Sequence, residues 1–344
     1  MRQSNFELLR IVSMAMVLVW HFIVRSLIDI PGGADISMKM FDVYGVFGGG
    51  ILTVCSFLCI AVNLFVLISG YFRIKLSVKS ILRLYLLCTF YSFAALFVNT
   101  PLDEIGLKSV AKCILITKTD NWFFPAYFWL MFFAPICNSC LRTMELSKLR
   151  ILVALLLCLN ILSGFFMHYQ ANGNGYTVIH LILIYMLGGY LRREDFSLSS
   201  CLCIGGYVLI ALINAGLCWL LISHSDVNGM LLCNYNNPLV IAESVLVFLV
   251  FKNLKLQSNA VNKIAKSVVA VLLIQDIVLR EIMANNLKSC IADGAFCFLY
   301  TAGTWFILFF ILAYIVEMAR IPLADKIIKF VVKYLPKKLA EVQI

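Results

Sequence analysis

Long apolar runs, each close to the length of a bilayer crossing and parted by short polar or basic stretches, make up most of this chain. A helix needs about 20 apolar residues to cross the hydrocarbon, and runs of that kind recur about ten times. They cover Asn5–Ile28, Ile51–Gly70, residues 81–98, Trp122–Leu141, two crossings within Ile151–Leu191, Cys201–Ser223, a stretch near Leu239–Phe251, another near Ser267–Leu279, and Ala295–Val316. A glycine-rich loop at Pro31–Gly50 and a turn at Ala171–Gly175 separate some of them. The pattern predicts an all-α fold, a polytopic transmembrane helical bundle of about ten spans, with residues 1–320 as one transmembrane domain. After Arg320, apolar residues alternate with lysines at helical spacing and are too charged to span. Residues 321–344 read as a basic amphipathic cytoplasmic tail on the membrane surface, with a disordered basic tail as the alternative.

Composition agrees: 62% of residues are hydrophobic and 13% charged, whereas soluble domains carry about a quarter charged residues. The net charge of +10 is unevenly placed. With ten spans and both termini cytoplasmic, the inner segments collect Arg73, Lys75, Lys79 and Arg83, then Arg142, Lys148 and Arg150, then Arg192 and Arg193, and finally the lysines of 252–266 and of the tail. The outer segments hold few cations, as the positive-inside rule requires. The basic balance therefore sets topology and attracts anionic lipids, and gives no reason to expect nucleic acid. The first apolar run keeps its charges inside the span and lacks a small-residue cleavage site, so it reads as a permanent helix. Most of the 13 cysteines fall inside apolar spans, where Cys acts as a small hydrophobe. Cys137 and Cys140 form a lone CxxC with no further ligands in sequence, and no metal is expected.

Chemistry concentrates in the first helix, which carries Glu7, Arg10, His21 and Arg25. Ionisable groups at membrane depth are costly and mark function by default. Arg10 and His21 are separated by about three helical turns, which puts them on one face about 16 Å apart. A pairing of Arg10 with Glu7 on the preceding turn is the structural alternative for the arginine, and a hydrogen bond to a neighbouring helix is that for His21. Glu243 and Asp276 stand alone in apolar runs, where they orient a reacting group or a substrate, or pair with buried cations. His168 and His180 flank the Ala171–Gly175 turn and read as structural, and His224 lies beside Asp226 with no assignable partner.

The Arg10-x10-His21 pattern at the head of a basic chain of about ten spans resembles the acyltransferase-3 family of bacterial membrane O-acyltransferases. Other stretches agree: Asn63–Tyr71, ending Ser69-Gly70-Tyr71 before a basic loop; Trp122–Tyr127 with Pro135; and Gly189-Tyr190-Leu191-Arg192-Arg193. Two stretches depart. Gln275-Asp276 stands where the family often ends a helix in His, and Lys79-x3-Arg83 stands where it often has Arg-x-x-Arg. The resemblance implies transfer of an acyl group, usually acetyl, from cytoplasmic acyl-CoA to a hydroxyl of an envelope polysaccharide or its lipid-linked precursor, in the bacterial cytoplasmic (inner) membrane.

Carried onto this sequence, the resemblance makes His21 and Arg10 the catalytic pair. Arg10, Arg73, Lys75, Lys79 and Arg83 become the acyl-CoA site, and Ser69, Tyr71, Glu243 and Asp276 substrate or orienting residues. The chemistry is compatible: guanidiniums bind phosphates in bidentate fashion, and imidazole can take a proton from an acceptor hydroxyl near neutral pH. A transporter or flippase for a lipid-linked saccharide would also use charges inside a bundle, but matched pairs of Gly/Pro-broken helices are not seen. A polysaccharide polymerase would bring a large charged outer loop, whereas the outer loops here are short.

Overall fold

The computed structural model describes residues 3–28, 46–115, 121–167, 172–224 and 229–336, which are mostly helical with no strand among them. Eight helical segments are long and apolar enough to cross a membrane: Ser4–Leu27, Gly48–Phe72, Val78–Asn99, Phe123–Thr143, Leu146–Phe166, Ser200–His224, Met230–Asn253 and Ala295–Tyr334. The other two expected spans are shorter helical pieces. One is Val178–Glu194, of 17 residues; the other joins Val268–Leu273 to a π-helical turn, Ile274–Val278. The chain is an all-α, polytopic membrane protein. Most of the expected Pro31–Gly50 loop lies outside the described residues, as do His168, Asp226 and residues 337–344. The loop's last glycines instead open a helix, which begins at Val46 rather than Ile51.

Residues divide into two compact units, Met1–Arg73 with Cys137–Ala265 and Ile74–Ile136 with Lys266–Ile344. The larger holds α1 (Ser4–Ile23), α2 (Val46–Leu58) and α3 (Ala61–Phe72). It also holds α7 (Leu146–Asn160), α8 (Val178–Glu194), α9 (Ser200–His224), α10 (Pro238–Asn253) and α11 (Asn259–Ile264). The smaller holds α4 (Val78–Asn99), α5 (Leu107–Leu115), α12 (Val268–Leu273), α13 (Arg280–Ile291) and α14 (Ala295–Tyr334). Helix α6 (Phe123–Thr143) contains the boundary.

Local sequence sets the starts of several helices. Ser77 and Ser80 cap α4 reciprocally, Thr177 accepts from the His180 amide at the start of α8, and Asn237 caps α10 with Pro238 in the first turn. Each cap satisfies amides that the first turn leaves without a helical partner. Helix α14 runs 40 residues without a break, past Pro322 to Tyr334. At 1.5 Å per residue it is about 60 Å long, roughly twice the hydrocarbon thickness.

The axis of the larger unit is the pair α3 and α8, which run parallel. A Cβ on Gly70 would lie 2.0 Å from the Tyr185 carbonyl oxygen, and one on Gly188 would lie 2.3 Å from that of Leu67. Where lipid tails are as apolar as the helices, such small residues let backbones approach and gain van der Waals contact. This pair gives the unit two distinct ends. One is basic, where Tyr71 meets Arg192; the other is rich in asparagine, where Asn63 meets His180.

Candidate functional site

Helix α1 runs antiparallel to α3 and α10, so its first turn lies at the basic end. Asn5 Nδ2 donates to the Phe251 carbonyl at 2.9 Å, and the Phe6 ring packs on Tyr71, Phe72 and Phe248 with centroids 5.0–5.5 Å apart. One residue on, Glu7 is buried and accepts from Arg10 Nη1 at 2.8 Å, while the Arg10 side chain keeps 34% exposure. The ion pair that was the structural alternative for Arg10 on the first helix therefore forms. It fixes the guanidinium while leaving it donors to spare, since guanidinium carries five N–H groups. His21 lies toward the other end of α1 and is half-buried. Directly after it the hydrogen-bond ladder changes, α1 giving way to the π-helical turn Val24–Ile28 in which Ser26 Oγ donates to the Phe22 carbonyl. Single π turns inside helices are frequent at functional sites because they re-aim the residues beside them.

Four arginines gather at the basic end. Arg192 Nη1 donates to the Tyr71 carbonyl at 2.9 Å, with its guanidinium 5.6 Å from the centre of the Tyr71 ring. Arg193 Nη1 donates to the Met144 carbonyl at 2.6 Å, and Arg142 Nε to the Asn138 carbonyl at 3.3 Å. Arg73 completes the group. Burial holds its pKa below the ordinary guanidinium value, and the charges of Arg192, Arg142 and Arg193 lower it further. The expected acyl-CoA residues are thus divided. Arg73 belongs with the larger unit, while Lys75, Lys79 and Arg83 belong to the smaller, where Arg83 makes an exposed pair with Asp325 at 3.2 Å. Arg142, Arg192 and Arg193, read from sequence as topology markers, are the residues that share a site with Arg73.

Ser69, Gly70 and Tyr71 separate into three roles. Ser69 Oγ donates back to the Phe65 carbonyl at 2.9 Å, Gly70 admits α8, and Tyr71 supplies one ring to the aromatic cluster and a face to Arg192.

Glu243 is fully buried on α10, and neither carboxylate oxygen has a hydrogen-bond partner among the described residues. Its electrostatic neighbours include Cys59 and Tyr207. Asp276 is buried in the smaller unit on the π-helical turn and accepts from Asn121 Nδ2 at 2.7 Å. The adjacent Gln275 is buried too, with its Nε2 3.8 Å from the Met283 sulfur.

The asparagine end was marked in sequence only by His180, the Ala171–Gly175 turn and the Asn63 that opens the Asn63–Tyr71 stretch. His180 is fully buried, with Nε2 2.9 Å from Asn63 Oδ1 and Nδ1 3.2 Å from Asn160 Nδ2. Asn63 Nδ2 donates to the Tyr235 carbonyl, and Asn172 Nδ2 to Asn160 Oδ1. Asn234 Nδ2 reaches Asn174 Oδ1, and Asn236 Nδ2 the Asn172 carbonyl. The expected structural role of His180 holds, and the signal for the rest is the clustering of amides in two loops of an apolar chain. The smaller unit has a buried ion pair that sequence reasoning also passed over. Arg320 donates through Nε and Nη2 to the two oxygens of Glu317 at 2.5 and 2.6 Å, and Tyr91 adds a bond at 2.9 Å. Two arginine donors on both oxygens of one carboxylate is the strongest form of such a contact.

No curated protein and no solved structure matches the chain significantly. A family model described as an acyltransferase domain matches residues 3–319, a span that takes in the Arg10 and His21 face of α1, the arginine cluster, Glu243 and Asp276. The chain therefore belongs to the acyltransferase-3 family and is a membrane acyltransferase.

Proposed function

We propose that this acyltransferase takes the acyl group, acetyl in the simplest case, from acyl-CoA and places it on a hydroxyl of an envelope polysaccharide or its lipid-linked precursor. On this reading it works in the bacterial cytoplasmic membrane with both termini inside, where its basic surfaces also meet anionic lipid. The observation that carries the reading is the face of α1. Glu7 holds Arg10 in place at the basic end, and His21 lies about 16 Å further along the helix, a distance comparable to a pantetheine arm.

Arg10 and Arg73 hold the phosphorylated end of the donor. The arm then reaches toward His21. The imidazole accepts the proton of the acceptor hydroxyl as its oxygen attacks the thioester carbonyl. A carbon–oxygen bond forms, the carbon–sulfur bond breaks, and the CoA sulfur leaves with the electron pair. The proton on His21 then passes to that thiolate, returning the imidazole to neutrality. Ser69, Tyr71, Glu243 and Asp276 are assigned to substrate contact and orientation, and no metal enters the reaction.

Mass spectrometry of envelope glycans from cells with and without the gene tests the assignment. Loss of one acetyl mass per modified hydroxyl, restored by the parent gene and not by His21→Ala at equal abundance, is the expected result. An unchanged glycan profile overturns the acceptor class.

A further inference from the structure

The arginine cluster holds more positive charge than its structural duties explain. Helices α3, α6 and α8 all end near it, and cations near helix C-termini are favourable because the last carbonyls lack helical partners. That accounts for Arg192 on the Tyr71 carbonyl and Arg193 on the Met144 carbonyl. It leaves Arg73 unexplained, because its Nε is buried with no hydrogen-bond partner among the described residues. Arg73 also holds a backbone φ of 59°, a left-handed conformation that costs free energy in a non-glycine residue.

The carboxylates of the same stretches are engaged with other cations. Glu194 accepts from Arg150 at 2.7 Å, Asp195 from Lys252 at 2.8 Å, and Glu145 lies 3.7 Å from Lys148. Asp195 is held below its usual pKa by that lysine, first through the hydrogen bond and then through charge. Four guanidiniums gathered at one end of the unit, with the neighbouring acids paired to other cations, leave positive charge that these carboxylates do not balance. Arg142, Arg192 and Arg193 each keep N–H donors beyond the one that anchors them. Planar guanidiniums fit phosphate oxygens two at a time, and the stacking of Arg192 on Tyr71 orients one of them in advance.

We propose that Arg73, Arg142, Arg192 and Arg193 form a binding site for a phosphate ester, and that the phosphorylated nucleotide end of acyl-CoA is its ligand. The identity of the ligand rests on the function proposed above; the phosphate chemistry rests on the cluster alone. A phospholipid headgroup offers the same chemistry, and the experiment separates the two sources.

The test uses the full chain in nanodiscs of neutral lipid, titrated with CoA and with adenosine 3′,5′-bisphosphate. Arg142→Gln, Arg192→Gln and Arg193→Gln are each expected to weaken binding by about tenfold or more. Lys148→Gln, an exposed cation in the same part of the chain, is expected to change it by less than about twofold. Arg192→Lys, which keeps the charge and loses the fork, should fall between. Should nucleotide binding stay unchanged while the arginine variants lose co-purified phosphatidylglycerol, the phosphate site stands and acyl-CoA is the wrong ligand. Should monodisperse variants with parental melting temperatures lose neither, the site is overturned. Because the bisphosphate carries no acyl group and needs no acceptor, these outcomes do not depend on whether transfer occurs.

Discussion

The two ends of the larger unit solve opposite problems with the same two helices. Where α3 and α8 begin, buried amides and an imidazole exchange hydrogen bonds: both ring nitrogens of His180 are within reach of Asn63 and Asn160. Where the same helices end, four arginines crowd together and Arg73 takes up a strained backbone. A satisfied polar network rigidifies a core. A concentration of like charge costs stability and is retained where a ligand repays it. The contrast fits the proposal that the asparagine end is scaffold and the basic end the working surface, and it sorts the expected effects of mutation.

The largest effect should come from the element that joins the two ends. Gly188→Ala would place a methyl group against the Leu67 carbonyl at 2.3 Å, and Gly70→Ala one against the Tyr185 carbonyl at 2.0 Å. Backbone atoms cannot turn aside as side chains do, so α3 and α8 must separate. Overpacking of this kind costs about 1–3 kcal/mol or more, and both ends should fail together. The expected outcome is a sharp loss of monodisperse protein in detergent, with no donor binding by what remains; normal yield and melting would show that the pair is not the axis.

Next comes His180→Ala, which leaves Asn63 and Asn160 without their shared partner. Stranding buried polar groups costs about 1–3 kcal/mol for each. Melting of the purified protein should therefore drop by several degrees, while CoA affinity per folded molecule stays near parental. A selective loss of affinity with unchanged melting would reverse the roles assigned to the two ends.

The smaller effects lie at the basic end and differ in kind. Arg142→Gln removes one of four like charges and should leave melting level or slightly raised while donor binding falls. Arg73→Gly relieves the left-handed backbone and should stabilise by up to about 1 kcal/mol, again with weaker binding. Thermal melts and titrations on the same preparations check both. A variant that loses stability and binding in parallel would place these arginines with the scaffold.

How much of this was legible in the sequence follows from the range of each interaction. Each expected span has a helix, because burial of apolar runs depends on local composition. The Arg10 and Glu7 pair was also local, three residues apart on one helix. The arginine cluster was not, since its members come from residues 73, 142, 192 and 193 and meet only after three helices have packed. In sequence these arginines look like any cations that follow a span. The same holds for Glu317 with Tyr91, which are distant in the chain, and for Asn63 with His180. Ser69-Gly70-Tyr71 was visible as a motif, but the reason for its glycine appeared only with the Tyr185 backbone beside it. The ninth expected span departs from a regular helix. It is built from a short helix and a π-helical turn rather than one regular segment, and its Asp276 is buried against Asn121.

The central claim is that His21 is the base in acyl transfer from a donor held at the basic end. Its most direct test is transfer of label from acetyl-CoA to envelope glycan in membranes containing matched amounts of parent or His21→Ala protein, with CoA affinity measured on the same purified proteins. The account predicts that His21→Ala lowers transfer by about a hundredfold or more with CoA affinity near parental, and that Arg10→Ala instead raises the acyl-CoA concentration needed for half-maximal rate, partly restored in Arg10→Lys. Near-parental transfer by His21→Ala at matched abundance would contradict it and leave α1 a structural helix.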